Sequence, residues 1–199
     1  MNRLHDLFNQ QGQSPWLDNL RRSWIVSGEL QGWVDRGARG ITSNPSIFQK
    51  AMTGTDAYDE QLRSLTESGC SVEESYWELV VRDIHDALEI LRPVHEESDG
   101  LDGYVSVEVD PRLAPDTEGT MVAARQLDQR LDRPNLYVKI PGTAAGIPAI
   151  RQMISEGRSI NVTLIFSLDS YSDVMEAYMS GLEACSGDLS GVSSVASFF

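Results

Sequence analysis

Only two of the sixteen basic residues are lysines, Lys50 and Lys139, and Lys139 stands in an unusual place. It interrupts the apolar run Leu136-Tyr137-Val138-Lys139-Ile140 and is followed by Pro141-Gly142-Thr143. In an extended segment side chains alternate, so Leu136, Val138 and Ile140 share one face and Tyr137 and Lys139 the other. A buried ammonium is costly, and such a group tends to shed its proton and become a neutral amine. A neutral lysine amine is what Schiff-base attack on a carbonyl substrate requires. The competing reading is a strand-end lysine that reaches solvent along its stem or pairs with a carboxylate.

Four further segments offer polar groups at comparable positions. In Tyr104-Val105-Ser106-Val107-Glu108-Val109 the valines form one face, and Tyr104, Ser106 and Glu108 the other. Beside Lys139, Glu108 would relay protons through a water, or serve only as an ion-pair partner. In Ile160-Asn161-Val162-Thr163-Leu164 the aliphatic set is Ile160, Val162 and Leu164. Asn161 and Thr163 lie opposite, suited to hydrogen-bonding hydroxyls or a catalytic water, or to filling a polar interior. Asp18, in Trp16-Leu17-Asp18-Asn19, reads either as a second acid–base group or as a helix cap or turn residue. Asn44, in Thr42-Ser43-Asn44-Pro45-Ser46, stands where a strand should end, and asparagine before proline is also a common turn starter.

These groups need a scaffold. Strand-like runs cover 15–19, 39–44, 103–109, 135–140, 159–166 and 192–199, with helical patterns at 28–36, 116–131, 146–155 and 170–184. A longer segment, 56–97, reads as two helices broken near Gly69 and inserted between the second and third strands. Strand–helix alternation of this kind implies a parallel sheet with covering helices. A sheet sandwiched by helices would be apolar on both faces, yet three successive strands here keep one face aliphatic and the other polar. The expected architecture is therefore α/β, a (β/α)8 barrel with helices outside and chemistry at its C-terminal rim. One domain over 1–199 is expected, an incomplete barrel of about six strands with a helical insert between strands 2 and 3. The stretch 195–199 is apolar and carries no cap or turn, which leads us to expect a fragment of a longer chain.

Composition removes several classes of function. With 41% hydrophobic and 23% charged residues over 199 positions, the chain has a globular make-up. No stretch reaches the roughly 18–20 uninterrupted apolar residues of a membrane helix. The N-terminus has no apolar signal core, so a cytoplasmic location is expected. Thirty acidic against sixteen basic residues give a net charge of −14, which argues against a nucleic-acid or anionic-membrane surface. Anionic small substrates stay open, because one local arginine can bind a phosphate. Cys70 and Cys185 lie far apart, and His5, His85 and His95 are scattered, so neither a disulfide scaffold nor a zinc site is expected. Of the acidic group Asp110, Asp116 and Glu118, Asp116 reads as a cap of the following helix and Glu118 as its first turn. Nucleotide fingerprints and phosphate-binding glycine loops are absent from the sequence, and no metal or cofactor is expected.

Taken together, Trp16-Leu17-Asp18, Ile41-Thr42-Ser43-Asn44-Pro45-Ser46, Val105-Ser106-Val107-Glu108-Val109-Asp110, Tyr137-Val138-Lys139-Ile140-Pro141 and Asn161-Val162-Thr163-Leu164-Ile165-Phe166-Ser167 resemble the transaldolase family. Each motif alone is modest, but all occur in the family's order along essentially the whole chain. The tryptophan in the first motif and the long helical insert resemble the longer bacterial members more than the fructose-6-phosphate aldolase branch. The resemblance implies metal-free Schiff-base transfer of a dihydroxyacetone unit between sugar phosphates in the pentose phosphate pathway. It gives Lys139 the Schiff base, Glu108 the proton transfers with a water held by Thr163, and Asp18 the proton of the C4 hydroxyl. Asn44 and Asn161 would orient the three-carbon unit. Ser197 matches the serine at the start of a Ser-Pro-Phe-type sixth strand, although Phe198 stands where the family has proline. The family's phosphate-binding arginines lie beyond strand six and have no counterpart in 1–199. The alternatives are a lyase that releases dihydroxyacetone, and a catalytically silent sugar-phosphate-binding domain.

Overall fold

The computed structural model describes residues 3–199. Its strands are β1 (Trp16–Leu17), β2 (Gly40–Thr42), β3 (Val105–Glu108), β4 (Leu136–Pro141), β5 (Ile160–Ile165) and β6 (Ser194–Phe198). Each falls on one of the six strand-like runs, and β1 and β2 are much shorter than the runs that hold them. The helices are α1 (Arg3–Gln11), α2 (Arg22–Ser27), α3 (Glu29–Asp35), α4 (Pro45–Met52), α5 (Asp59–Glu67), α6 (Val72–Glu97), α7 (Thr117–Leu131), α8 (Gly146–Ser155) and α9 (Leu168–Ala184).

Local chemistry sets the boundaries. Gly28, at φ 78°, ends α2 and lets α3 start in a new direction, so the expected helix 28–36 is preceded by a further short one. α6 opens with a capping box. The Ser71 hydroxyl accepts from the Glu74 amide at 3.2 Å, and the Glu74 carboxylate accepts from the Ser71 amide at 2.8 Å. The insert between β2 and β3 holds α4 as well as the two helices expected there, and α4 starts at Pro45 with Asn44 as its cap. Asp116 caps α7, accepting from the Gly119 amide at 3.0 Å.

The chain forms two compact units, one ending at Val105 and the other spanning Ser106–Phe199. In the first, β1 and β2 pair in parallel, Trp16 opposite Gly40 and Leu17 opposite Ile41. The Ile41 amide donates to the Tyr104 carbonyl at the entry to β3. In the second unit β4 pairs in parallel with β5, and β5 with β6. The Val109 amide, just past β3, donates to the Lys139 carbonyl at 3.1 Å. The hydrogen-bonded strand order is therefore the chain order, β1 to β6, as in an incomplete (β/α)8 barrel. In the second unit α7 packs on β4, α8 on β4 and β5, and α9 on α8 and β5. The buried residues Val105, Val107, Val138, Ile140, Ile160 and Val162 form the aliphatic faces of β3 to β5.

One alternation fails. Leu164 was expected on the aliphatic face with Ile160 and Val162, but it has φ 59° and is 41% exposed, whereas Ile165 is fully buried. The β5–β6 register shifts between Val162 and Ile165. A left-handed residue inserts one extra position, and the next side chain takes over the aliphatic face.

No helix of the described residues is long and apolar enough to cross a membrane.

Candidate active site

β4 is buried along its whole length, and Lys139 within it is 5% exposed. Glu108 ends β3, and its Oε2 lies 3.3 Å from the Lys139 Nζ. Both side chains are withdrawn from water, at 6% and 11% exposure. Burial raises the Glu108 carboxyl above the usual carboxylate range, while the Lys139 ammonium pulls it back down.

Asn161 stands beside Lys139, since the β4–β5 register sets these two residues opposite one another. The Asn161 amide nitrogen donates to the Ser106 hydroxyl at 3.0 Å, and its oxygen accepts from the Ser197 hydroxyl at 2.9 Å. Ser106 belongs to β3 and Asn161 to β5, with β4 between them. Neighbouring strands lie about 4.8 Å apart, so side chains two strands away meet at 3.0 Å only over a sheet face that curls inward. Lys139 sits on the strand that this bond spans. Thr163 follows two residues after Asn161 and is 1% exposed. Ser197 is the fourth of the five residues of β6, near the strand's end rather than at its start as expected.

The loop after β4 is braced at the C-terminal ends of the strands. The Gly142 amide donates to the Thr163 carbonyl at 2.7 Å, and the Ser170 hydroxyl to the Gly142 carbonyl at 3.2 Å. The Thr143 hydroxyl donates to the Ala114 carbonyl at 2.7 Å and accepts from the Gly146 amide at 3.0 Å. A Cβ at Gly146 would come within 1.9 Å of the Pro141 carbonyl oxygen, so glycine is needed for α8 to start this close to β4.

Asp18 and Asn44 belong to the first unit. Asp18 follows β1 directly and is exposed. It does not cap α2, whose N-cap is Arg21. The Asn44 Oδ1 accepts from the Ile47 amide at 3.0 Å, and Pro45 takes the first turn of α4. Both residues therefore stand at the C-terminal ends of their strands.

Ser106 was not among the residues selected from sequence for a site. The available signal was its place on the same period-two face as Glu108. Asp110 is paired with Arg112 and its carboxyl is held below the usual range by that guanidinium, while Asp116 is committed to the α7 cap. Among the described residues no group of three or more His, Cys, Asp or Glu side chains converges as a metal site.

Comparison with known proteins bears on this arrangement. The model of a family described as Transaldolase/Fructose-6-phosphate aldolase matches residues 15–199. A protein named Transaldolase from Thermobifida fusca is 52% identical over 192 residues, covering 94% of this chain and 52% of its own length. Transaldolase 2 of Nostoc punctiforme is 50% identical over 194 residues, covering 96% and 51%. Transaldolase 2 of Streptomyces coelicolor is 49% identical over 195 residues, covering 96% and 52%. The chain spans about half the length of the curated relatives it matches.

Proposed function

The chain belongs to the transaldolase/fructose-6-phosphate aldolase family, and from that membership we propose that it serves the transfer of a dihydroxyacetone unit between sugar phosphates. The observation that carries the reading is the buried Lys139 side chain, whose Nζ lies 3.3 Å from the Oε2 of Glu108, a carboxyl that burial raises above its usual range.

Lys139 attacks the C2 carbonyl of a ketose phosphate, fructose 6-phosphate or sedoheptulose 7-phosphate, to give a carbinolamine. Glu108 supplies the proton with which the hydroxyl leaves as water, through a water held by Thr163, and an iminium forms. Asp18 takes the proton of the C4 hydroxyl as the C3–C4 bond breaks. The electron pair of that bond passes into the iminium, giving an enamine, and the aldose phosphate departs. The enamine then adds to the aldehyde of glyceraldehyde 3-phosphate or erythrose 4-phosphate, and hydrolysis frees Lys139. Asn161, fixed through Ser106 and Ser197, orients the three-carbon unit. Asn44 has its oxygen engaged in the α4 cap, so its amide nitrogen is the group that donates to substrate. The reading places the protein in the cytoplasm and the pentose phosphate pathway. It also treats 1–199 as one incomplete barrel domain, supported by a family match that runs through both units.

The test is borohydride trapping with fructose 6-phosphate, read by intact and peptide mass on a sample shown to be folded by circular dichroism. A reduced three-carbon adduct on Lys139 is expected. A folded sample that gives none would refute the reading for this chain. Turnover without an acceptor would place it with the lyases of the family.

A further inference from the structure

Away from Lys139, a buried polar cluster joins the helical insert to α2 and has no part in the chemistry described so far. Asp83, on α6, is fully buried. Its Oδ1 accepts from the Arg22 Nε at 2.6 Å and its Oδ2 from the Tyr58 hydroxyl at 2.8 Å. The Arg22 Nη2 donates to the Leu79 carbonyl at 3.2 Å, and its guanidinium lies over the Tyr58 ring at 4.2 Å. The ring of contacts closes through the backbone, because the Tyr58 hydroxyl also accepts from the Arg22 amide at 3.3 Å. Arg21, the N-cap of α2, provides no side-chain cap. A phenol from the insert therefore satisfies an N–H that the first turn of α2 would otherwise leave open.

Arg22 is held by both its side chain and its main chain, and it stands four residues after Asp18. Between them, Leu20 is fully buried. Upstream, β1 offers little hold, since it is two residues long and pairs only at Trp16 and Leu17. Asp18 itself is exposed. The geometry of the turn 18–21 is thus set mainly by what anchors it downstream. A buried ion pair adds little net stability compared with apolar packing, but it admits few alternative arrangements. We propose that Arg22, Tyr58 and Asp83 are positioning residues through which the helical insert holds the 18–21 turn, and with it Asp18. This rests on the reading of Asp18 as the acid–base group of carbon–carbon cleavage.

The experiment compares the unsubstituted chain with Tyr58→Phe, and with Arg22→Lys should Tyr58→Phe lose its far-ultraviolet signal. Two quantities are read. The first is amide hydrogen exchange at residues 19–22, expected to accelerate by roughly tenfold or more while β4 and β5 keep their protection. The second is the ratio of six-carbon to three-carbon adducts trapped by borohydride on Lys139 with fructose 6-phosphate. Misplacing an acid–base group slows cleavage without preventing Schiff-base formation, so the ratio should rise about tenfold or more at constant total labelling. Asp18→Asn gives the limit of that shift. Unchanged exchange at 19–22 overturns the tether. Faster exchange with an unchanged ratio, or a fall in total labelling at constant ratio, overturns the positioning role and leaves a structural one. No adduct from the unsubstituted chain refutes the aldol reading and with it the role of Asp18, while exchange still decides on the tether.

Discussion

Replacing Lys139 by methionine keeps an unbranched side chain of similar length and deletes the ammonium. Glu108 then loses the cation 3.3 Å from its Oε2 while staying nearly as buried as before. Burial already raises this carboxyl, and Lys139 is what opposes the rise, so in the variant it climbs further. The folded variant holds a proton that the unfolded chain releases near its ordinary value of about 4.3. Where the native state binds more protons than the unfolded one, stability falls as pH rises. The fall amounts to about 1.4 kcal/mol per pH unit, or up to about 3 kcal/mol between pH 5 and 7, and it stops once the folded carboxyl itself ionises. Removing one partner of a buried pair costs about 3–5 kcal/mol in other proteins, which is the same scale. Urea unfolding followed by circular dichroism at pH 5, 6 and 7 measures the slope. Adding Glu108→Gln removes the titrating group, so the double variant should show a smaller cost, without the rise with pH that Lys139→Met alone shows. A cost for Lys139→Met that is equal at pH 5 and 7, or a slope that survives in the double variant, would refute electrostatic coupling between the two side chains.

Asn161→Ala removes the hydrogen bonds to both Ser106 and Ser197 in a buried setting. Thermal unfolding should show a loss of about 1–3 kcal/mol, and a change within error would mean that the chain of hydroxyls holds nothing. Leu164→Gly replaces a residue at φ 59° that is already partly exposed. Relief of the left-handed backbone should raise stability by up to about 1 kcal/mol in urea, and a clear loss would mean that packing of the leucine outweighs its strain.

The strands that carry Lys139, Glu108 and Asn161 were the most legible part of the chain. Each alternates strictly over four or more residues, and the two-residue period alone assigns Lys139, Glu108, Asn161 and Thr163 to the polar face. The period breaks at Leu164, because a bulge is a backbone event that leaves no mark on hydrophobic alternation. α4 was missed although its start is written plainly. Asn44-Pro45 fits a site residue at a strand end or a turn starter, and asparagine as cap with proline in the first turn is equally how a helix begins. α1 lies outside the expected helices although Leu4, Leu7 and Phe8 recur at helical spacing; the stretch is short and none of its residues is buried. The clamp around Asp83 was out of reach for a different reason. Arg22, Tyr58 and Asp83 are separated by 36 and 25 residues, and no local period connects them.

The same alternation explains how a buried ammonium and carboxylate are tolerated on these strands. Val105, Val107, Val138, Ile140, Ile160 and Val162, on the opposite faces, are all at most 1% exposed. Each fully buried aliphatic side chain contributes about 1.5–3 kcal/mol, whereas a buried ion pair contributes little or nothing net. What holds β4 and β5 in place is therefore their packing against α7, α8 and α9, one Cβ alternation away from the polar groups. Lys139 can be exchanged for another long side chain without disturbing that packing. The consequence is specific: the cost of losing its charge falls on Glu108 rather than on the strands. That is why the effect of Lys139→Met should follow the titration of one carboxyl instead of appearing as a pH-independent loss of core.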